Sequence, residues 1–343
     1  MGRLVTFKCP GCGGYLEFDP SGQDFTCAYC GRRFSKEEVD ELSSGKARAA
    51  DYDSHLREYH CKSCGAQIVT DDTTAATRCY YCHGPVVLTD RLEGEFRPDS
   101  IIPFSLDREA ARKSFAGYMA KHRFVDRRFF TEEQMESFTG VYYPYWLTDI
   151  DAEGTLDGEG ERVHVTRTFH ETVTETDHFQ VHREGRLSFR GMVRKALSTV
   201  DRQLSDGIHP YDLKAAQPFS MSWLSGFLAE RRDVEAAVVQ ADVLKEAEGY
   251  VPLLMKKDAP YDHLSGRTAM QNVKTDLKYV LLPAWVLTYR AAEPGKTYYF
   301  MMNGQSGKTC GRLPVDKKKL GLCAALVGIA VAALLALGGA FIW

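Results

Sequence analysis

The stretch Cys9-Pro10-Gly11-Cys12, followed after fourteen residues by Cys27-Ala28-Tyr29-Cys30, decides how the chain begins to fold. The same arrangement returns at Cys61, Cys64, Cys79 and Cys82, displaced by a constant 52 residues. Two Cys-x-x-Cys turns facing each other across a hairpin supply the four tetrahedral thiolates that Zn2+ takes at about 2.3 Å. Gly13, Gly31 and Gly65 follow three of the four pairs, where a tight turn favours a residue without a Cβ; the fourth pair is followed by His83 and then Gly84. The reading is two zinc ribbons, 1–35 and 55–92, each holding one structural Zn2+, with a rubredoxin-like iron centre as the alternative for the same spacing. Four thiolates fill the ion's coordination and leave no open position for a substrate or an activated water, so these sites are structural, not catalytic. His60 and His83 flank the ligands and read as neighbours.

Working outward, Ser35 and Glu38 have the spacing of a capping box, which opens a short polar helix in the connector 36–54. The body, 93–316, reads as mixed α+β with antiparallel strands. Ala111, Phe115, Tyr118 and Met119 fall at helical spacing in 107–121, with Asp107 as N-cap. Residues 161–190 alternate as a hairpin, the run WLSGFLAERRDVEAAVVQADVLKEA reads as helix, and Tyr279–Tyr289 and Tyr298–Met302 read as strands. A faint internal repeat relates Tyr143-Pro144-Tyr145-Trp146 to Leu282-Pro283-Ala284-Trp285 and suggests two related halves. Proline in both runs argues for edge strands or strand starts.

Leu320 to Trp343 carries no charge over 24 residues, a helix of about 36 Å against a hydrocarbon core of about 30 Å. Lys317, Lys318 and Lys319 precede it, so 317–343 reads as a basic flank and one transmembrane helix, with the N-terminal bulk on the cytoplasmic side. Eight of the ten cysteines sit in the paired motifs and no secretory signal precedes them, which fits metal ligands in a reducing compartment. Gly2 and Thr6 match the loose myristoylation pattern, but Cys9 follows so closely that a ribbon strand is the reading taken.

Net charge is −3, with a pI of about 6.4. The second ribbon region sets Arg57, Lys62, Arg78 and Arg91 against Glu58, Asp71, Asp72, Asp90, Glu93 and Glu95, which argues against nucleic acid as a partner. Tyr80 and Tyr81 could stack on bases but read as local packing. Asn303-Gly304-Gln305-Ser306-Gly307-Lys308-Thr309 ends like a phosphate loop, yet Met302 stands where that pattern needs its first Gly, so a hairpin turn is expected. His164, His170, His178 and His182 read as the solvated face of a hairpin, Cys310 and Cys323 as incidental, and no catalytic constellation is found. Ala324, Gly328, Ala332, Ala336 and Ala340 make a small-residue stripe, a hint of helix pairing.

The two ribbons, IIPFSLDREAARKSF, GVYYPYWLTDIDAEG, PFSMSWLSGFLAE, YVLLPAWVLTY and YYFMMNGQSGKTCGRLPVDKKK stand in an order that resembles the bacterial TFIIB-type zinc-ribbon-containing membrane proteins. That resemblance implies a scaffold, not an enzyme. Some members look like the membrane-anchored component of envelope-stress modules, where the implied partner is a phage-shock-protein-A homologue or a flotillin-like protein. Other members carry replication or helicase names, and a membrane-tethered nucleic-acid binder is the alternative.

Overall fold

The computed structural model describes residues 7–44, 56–61, 67–71, 86–91, 97–122, 124–125, 138–198, 202–290 and 297–340. The chain is mixed α+β with antiparallel sheets. A small four-stranded sheet, β1 (Phe7–Lys8), β2 (Tyr15–Asp19), β3 (Asp24–Cys27) and β4 (Arg33–Phe34), runs in sequential order. Helix α1 (Lys36–Ser44) follows, opened by a reciprocal capping box: Glu38 N–H donates to Ser35 Oγ at 3.2 Å, and Ser35 N–H to Glu38 Oε2 at 2.7 Å.

Among the described residues every other strand belongs to one eleven-stranded sheet. Its far flank is β5 (Leu56–Cys61), β6 (Gln67–Asp71) and β7 (Val86–Arg91). The body adds β8 (Ser100–Ile101), α2 (Arg108–Ala120), β9 (Thr139–Arg167), β10 (Thr172–Lys195), α3 (Arg202–Gly207), β11 (Gln217–Pro218), β12 (Leu228–Glu230), α4 (Ala236–Lys256), β13 (His263–Arg290), β14 (Thr297–Asn303), β15 (Thr309–Gly311) and the terminal α5 (Lys317–Ala340). β6 pairs with β12, so the strands around the second cysteine set continue the body's sheet.

At the centre, β9 and β13 run antiparallel with Tyr143 opposite Leu282. These are equivalent positions of the faint sequence repeat, and the neighbours repeat as well. β12 lies parallel to β9 at Val141 and Tyr142, just before Pro144; β8 lies parallel to β13 at Val280 and Leu281, just before Pro283. Past each proline an antiparallel strand takes over, β10 from Tyr145 and β14 from Ala284. The two prolines are therefore central, contrary to the expectation of edge strands. In an antiparallel strand the N–H and C=O of a residue point to one side. The Pro144 carbonyl accepts from Ala196 and that of Pro283 from Gly304, both on the side away from the β9–β13 ladder. The missing N–H groups thus fall where one neighbour hands over to the next.

The hairpin expected at 161–190 is much larger. β9 has 29 residues, about 95 Å at about 3.3 Å per residue, and with β10 and β13 it forms a long three-stranded blade. Helix α4 covers one face through Val239, Val243, Ala247, Val251 and Met255, all buried, against Ile150, Ala152, Leu156, Val181 and Leu187. Gly158 and Gly266 face each other in the blade, and a Cβ on Gly158 would stand 1.9 Å from the Ser265 carbonyl oxygen. The helix expected from Trp223 starts only at Ala236. WLSGFLAE instead makes a single turn and β12, with Gly226 at φ +90° between them.

Candidate metal centre

Two matched turns build the site. Cys9 N–H donates to Gly14 C=O and Gly13 N–H to Cys9 C=O, at 2.7 and 2.8 Å; Cys27 and Gly31 repeat the pattern with Arg32 and Cys27, both at 2.9 Å. Gly13 and Gly31 sit at φ +71° and +68°, backbone that side chains with a Cβ rarely adopt. The turns bring Cys9, Cys12, Cys27 and Cys30 together, with all four ligand atoms within 4.8 Å of one another. Cys9 and Cys27 are buried, Cys12 and Cys30 exposed.

The sulfurs of Cys9 and Cys30 lie 3.7 Å apart, and those of Cys12 and Cys27 3.5 Å apart. A disulfide requires about 2.05 Å. Four thiolates at about 2.3 Å from one tetrahedral ion would be about 3.8 Å apart, so the set fits a metal ion. Electrostatics agree, because thiolates this close repel. The backbone N–H of Cys30, outweighing desolvation, holds Cys27 down to about 6. At Cys12 the lowering by the Gly14 backbone is overcome by desolvation and by the three neighbouring sulfurs, which push it up to about 12. A bound cation removes that conflict by stabilising all four thiolates together.

The metal-site sheet is not a free module. Phe18 packs edge-on against Trp223 with centroids 5.1 Å apart, and Phe25 lies 6.4 Å from the same indole. Ser225 Oγ donates to Leu16 C=O at 2.5 Å, Gln23 Nε2 to Phe104 C=O at 2.8 Å, and Ser21 Oγ to the Asp107 carboxylate at 2.9 Å. Asp107 caps α2, so the loop after β2 touches the start of a body helix. Helix α1, expected to be a mostly solvated connector, is pinned as well: Asp40 accepts from Ser220 Oγ at 2.6 Å and Ser222 Oγ at 2.8 Å. Cys9, Cys27, Phe18 and Phe25 share one continuous core with Trp223 and Phe227. Sequence reasoning missed this docking, and the exposed-looking phenylalanines of a small ribbon were its one signal.

Of the second set, Cys61 ends β5, while Cys64, Cys79 and Cys82 lie outside the described residues, as does His83. The flanking backbone nevertheless repeats the first set's register. Phe7 opposes Leu16 and Lys8 opposes Tyr15; 52 residues on, Tyr59 opposes Ile68 and His60 opposes Gln67.

The remaining candidates are dispersed. His164 faces Asp177 at 3.5 Å, His178 faces Glu161 at 3.6 Å, and His182 sits between Asp157 at 2.5 Å and Glu184 at 3.1 Å, all on exposed strands. His170 lies in the turn beyond β9. Among the described residues the four cysteines are the sole His/Cys/Asp/Glu group of three or more placed to hold a metal. The 303–309 segment is a hairpin turn: Asn303 Oδ1 accepts from the backbone of Gln305 and Ser306, and its Nδ2 donates to Ile208 C=O. Cys310 Sγ contacts Gln203 C=O at 3.6 Å, and Cys323 is exposed on α5. Helix α5 is long and apolar enough to cross a membrane: Lys317–Leu335 has a mean hydropathy of 1.9 and none of its apolar window is buried in the protein.

The chain is 30% identical over 321 residues to the uncharacterized protein YdjG of Bacillus subtilis (strain 168), a match covering 92% of each chain. No family profile matches it, and no solved structure does.

Proposed function

From the premise that this chain belongs to the family of YdjG, we propose that it is a membrane-anchored, cytoplasmic zinc-ribbon scaffold that holds a protein partner at the membrane. The observation that carries this reading is the docking of the four-cysteine site on the body through Phe18 and Trp223. A filled four-thiolate centre has no position for chemistry, and Phe18 and Phe25 of its sheet are spent on internal packing, not on a surface for bases. The ion, Zn2+ by the ligand set, ties two knuckles into a rigid extension of the body, and a second ion does the same at Cys61, Cys64, Cys79 and Cys82. Helix α5 is the anchor, with Lys317, Lys318 and Lys319 on the cytoplasmic side. By family resemblance the partner is a phage-shock-protein-A homologue or a flotillin-like protein, in a response to envelope stress.

The test is affinity capture of the tagged full-length chain from solubilised native membranes after mild crosslinking. The expected result is a stoichiometric protein partner lost on substituting residues of the body. Recovery of nucleic acid in a salt-sensitive complex, with no protein partner, would replace this reading with a membrane-tethered nucleic-acid binder.

A further inference from the structure

Strand β10 is an outer strand of the blade: it pairs with β9, and among the described residues nothing pairs with its other side. The turn fixes which groups point outward. Thr168 N–H bonds Glu171 C=O, so the alternating hydrogen-bonded pairs place the N–H and C=O of odd residues from Val173 to Leu187 toward β9. Those of Thr172, Thr174, Thr176, His178, Gln180, His182, Glu184, Arg186 and Ser188 face outward. A free row of this length is a pairing template unless the edge is blunted. The blade's opposite edge is blunted, by an irregularity between Gln271 and Lys274 with Asn272 at φ +51° and by Lys274 and Lys278. On β10 the first irregularity comes only at Phe189, and no proline interrupts the run before it.

We propose that β10 is a homodimer interface, pairing antiparallel with β10 of a second copy about a two-fold axis at Gln180. The choice of a second copy rests on self-complementarity. In this register Asp177 meets Arg183 and Phe179 meets Val181, each twice, and Val173 meets Leu187, all on the face that carries α4. On the other face Thr176 meets Glu184 and Thr174 meets Arg186. No like-charged carboxylates or guanidinium groups are opposed, and His178 meets His182. Arg183 already spends one nitrogen of its guanidinium on the Met255 and Lys257 carbonyls, and the other nitrogens remain for Asp177. The three-stranded blade becomes a six-stranded sheet with both α4 helices on one side, and Phe179 and the exposed Val173 gain cover.

The experiment uses the full-length chain in detergent and in native membranes. Light scattering after size exclusion is expected to give a dimer. Gln180→Cys is expected to form an intermolecular disulfide on mild oxidation, since a hydrogen-bonded antiparallel pair sets its Cα atoms about 5.5 Å apart, within disulfide range. Thr155→Cys on the interior strand serves as the uncrosslinked control. Gln180→Pro removes an outward N–H, along with an exposed side-chain bond from Gln180 Nε2 to Glu159 Oε1 at 3.4 Å, and is expected to weaken the dimer at least tenfold; should it misfold, Asp177→Arg, which sets arginine against Arg183, reads the same contact. A monomeric wild type, no Gln180→Cys disulfide, a disulfide to a different protein, or a dimer unmoved by both substitutions would each overturn the proposal. The last result would place the contact elsewhere, as on the small-residue face of α5.

Discussion

Tyr143 faces Leu282 across the central ladder, and the pair marks a local two-fold relation between the halves of the body. The tryptophans beside it obey the same relation. Trp146 Nε1 donates to Val234 C=O and Trp285 Nε1 to Leu106 C=O, both at 2.9 Å. Each acceptor lies one residue before the cap of a helix, Glu235 for α4 and Asp107 for α2. The indoles therefore fix the entry of both helices onto the sheet. Trp285→Phe keeps the ring contacts with Phe104 and Phe227 but orphans a carbonyl, a loss of about 1–3 kcal/mol. Trp146→Phe is expected to cost more, because Arg232 also stacks on that ring at 5.2 Å. Thermal unfolding of the two variants side by side checks the order; an equal or reversed cost would refute it.

Metal removal should be felt on both sides of the Phe18–Trp223 contact, because the cysteine knuckles and the body share one core. Cys27→Ser is expected to lower the metal content by one ion per chain and to raise amide exchange in 15–27 and in 219–228 alike. Phe18→Ala leaves the ligands intact, so metal is retained while docking loses about 3–5 kcal/mol. Exchange confined to 15–27 in Cys27→Ser would show that the body does not depend on the metal.

Local signals in the sequence were sound. The capping box at Ser35 and Glu38, the cap at Asp107 and the turn at Asn303 all form as read, since each is decided by a few adjacent residues. Long-range features were not legible. Proline at 144 and 283 suggests an edge when a strand is imagined with one neighbour for its whole length, and the handover between neighbours is visible only in three dimensions. The blade's length before the hairpin read at 161–190 escaped notice because it alternates weakly: the face under α4 uses Gly154, Gly158 and Gly160 where a hydrophobic residue would have announced a strand. Docking of α1 was hidden for a related reason. Asp40 looks like one more solvated carboxylate until Ser220 and Ser222 are brought beside it.

That carboxylate gives the docking a pH dependence. Burial works to raise the Asp40 pKa, but the hydrogen bonds from Lys36, Ser220 and Ser222 outweigh it and hold it below the ordinary value. A depressed pKa contributes stability that is fully present above the unfolded-state value, about 3.9, and is lost as pH falls from there through the folded-state value. Amide exchange in α1 should therefore rise on acidification below about pH 4. Asp40→Asn is expected to dock more weakly at neutral pH and to lose most of this acid response in α1. An unchanged acid profile in that variant would mean that other carboxylates govern the release.

Helix α5 begins where Asp316 Oδ1 accepts from the backbone of Lys318 and Lys319, so the helix is capped at the protein's edge and its apolar length stands clear of the body. A soluble core helix would bury such a surface, and leaving it in water would cost about 25 cal/mol for each Å2 of apolar area. A bilayer would relieve this cost. The full-length chain is accordingly expected to stay with membranes through alkaline carbonate extraction, and a chain ending at Asp316 to appear in the soluble fraction. Val327→Arg, near the helix centre, should shift a measurable share to the soluble fraction, because a mid-helix arginine costs about 2.5–3.5 kcal/mol on insertion. With three lysines at its start, the helix should leave an N-terminal tag protease-accessible in inverted vesicles and protected in right-side-out ones. Carbonate release of the wild type would rule out a spanning helix, whereas the reverse protease pattern would keep the span and invert its orientation.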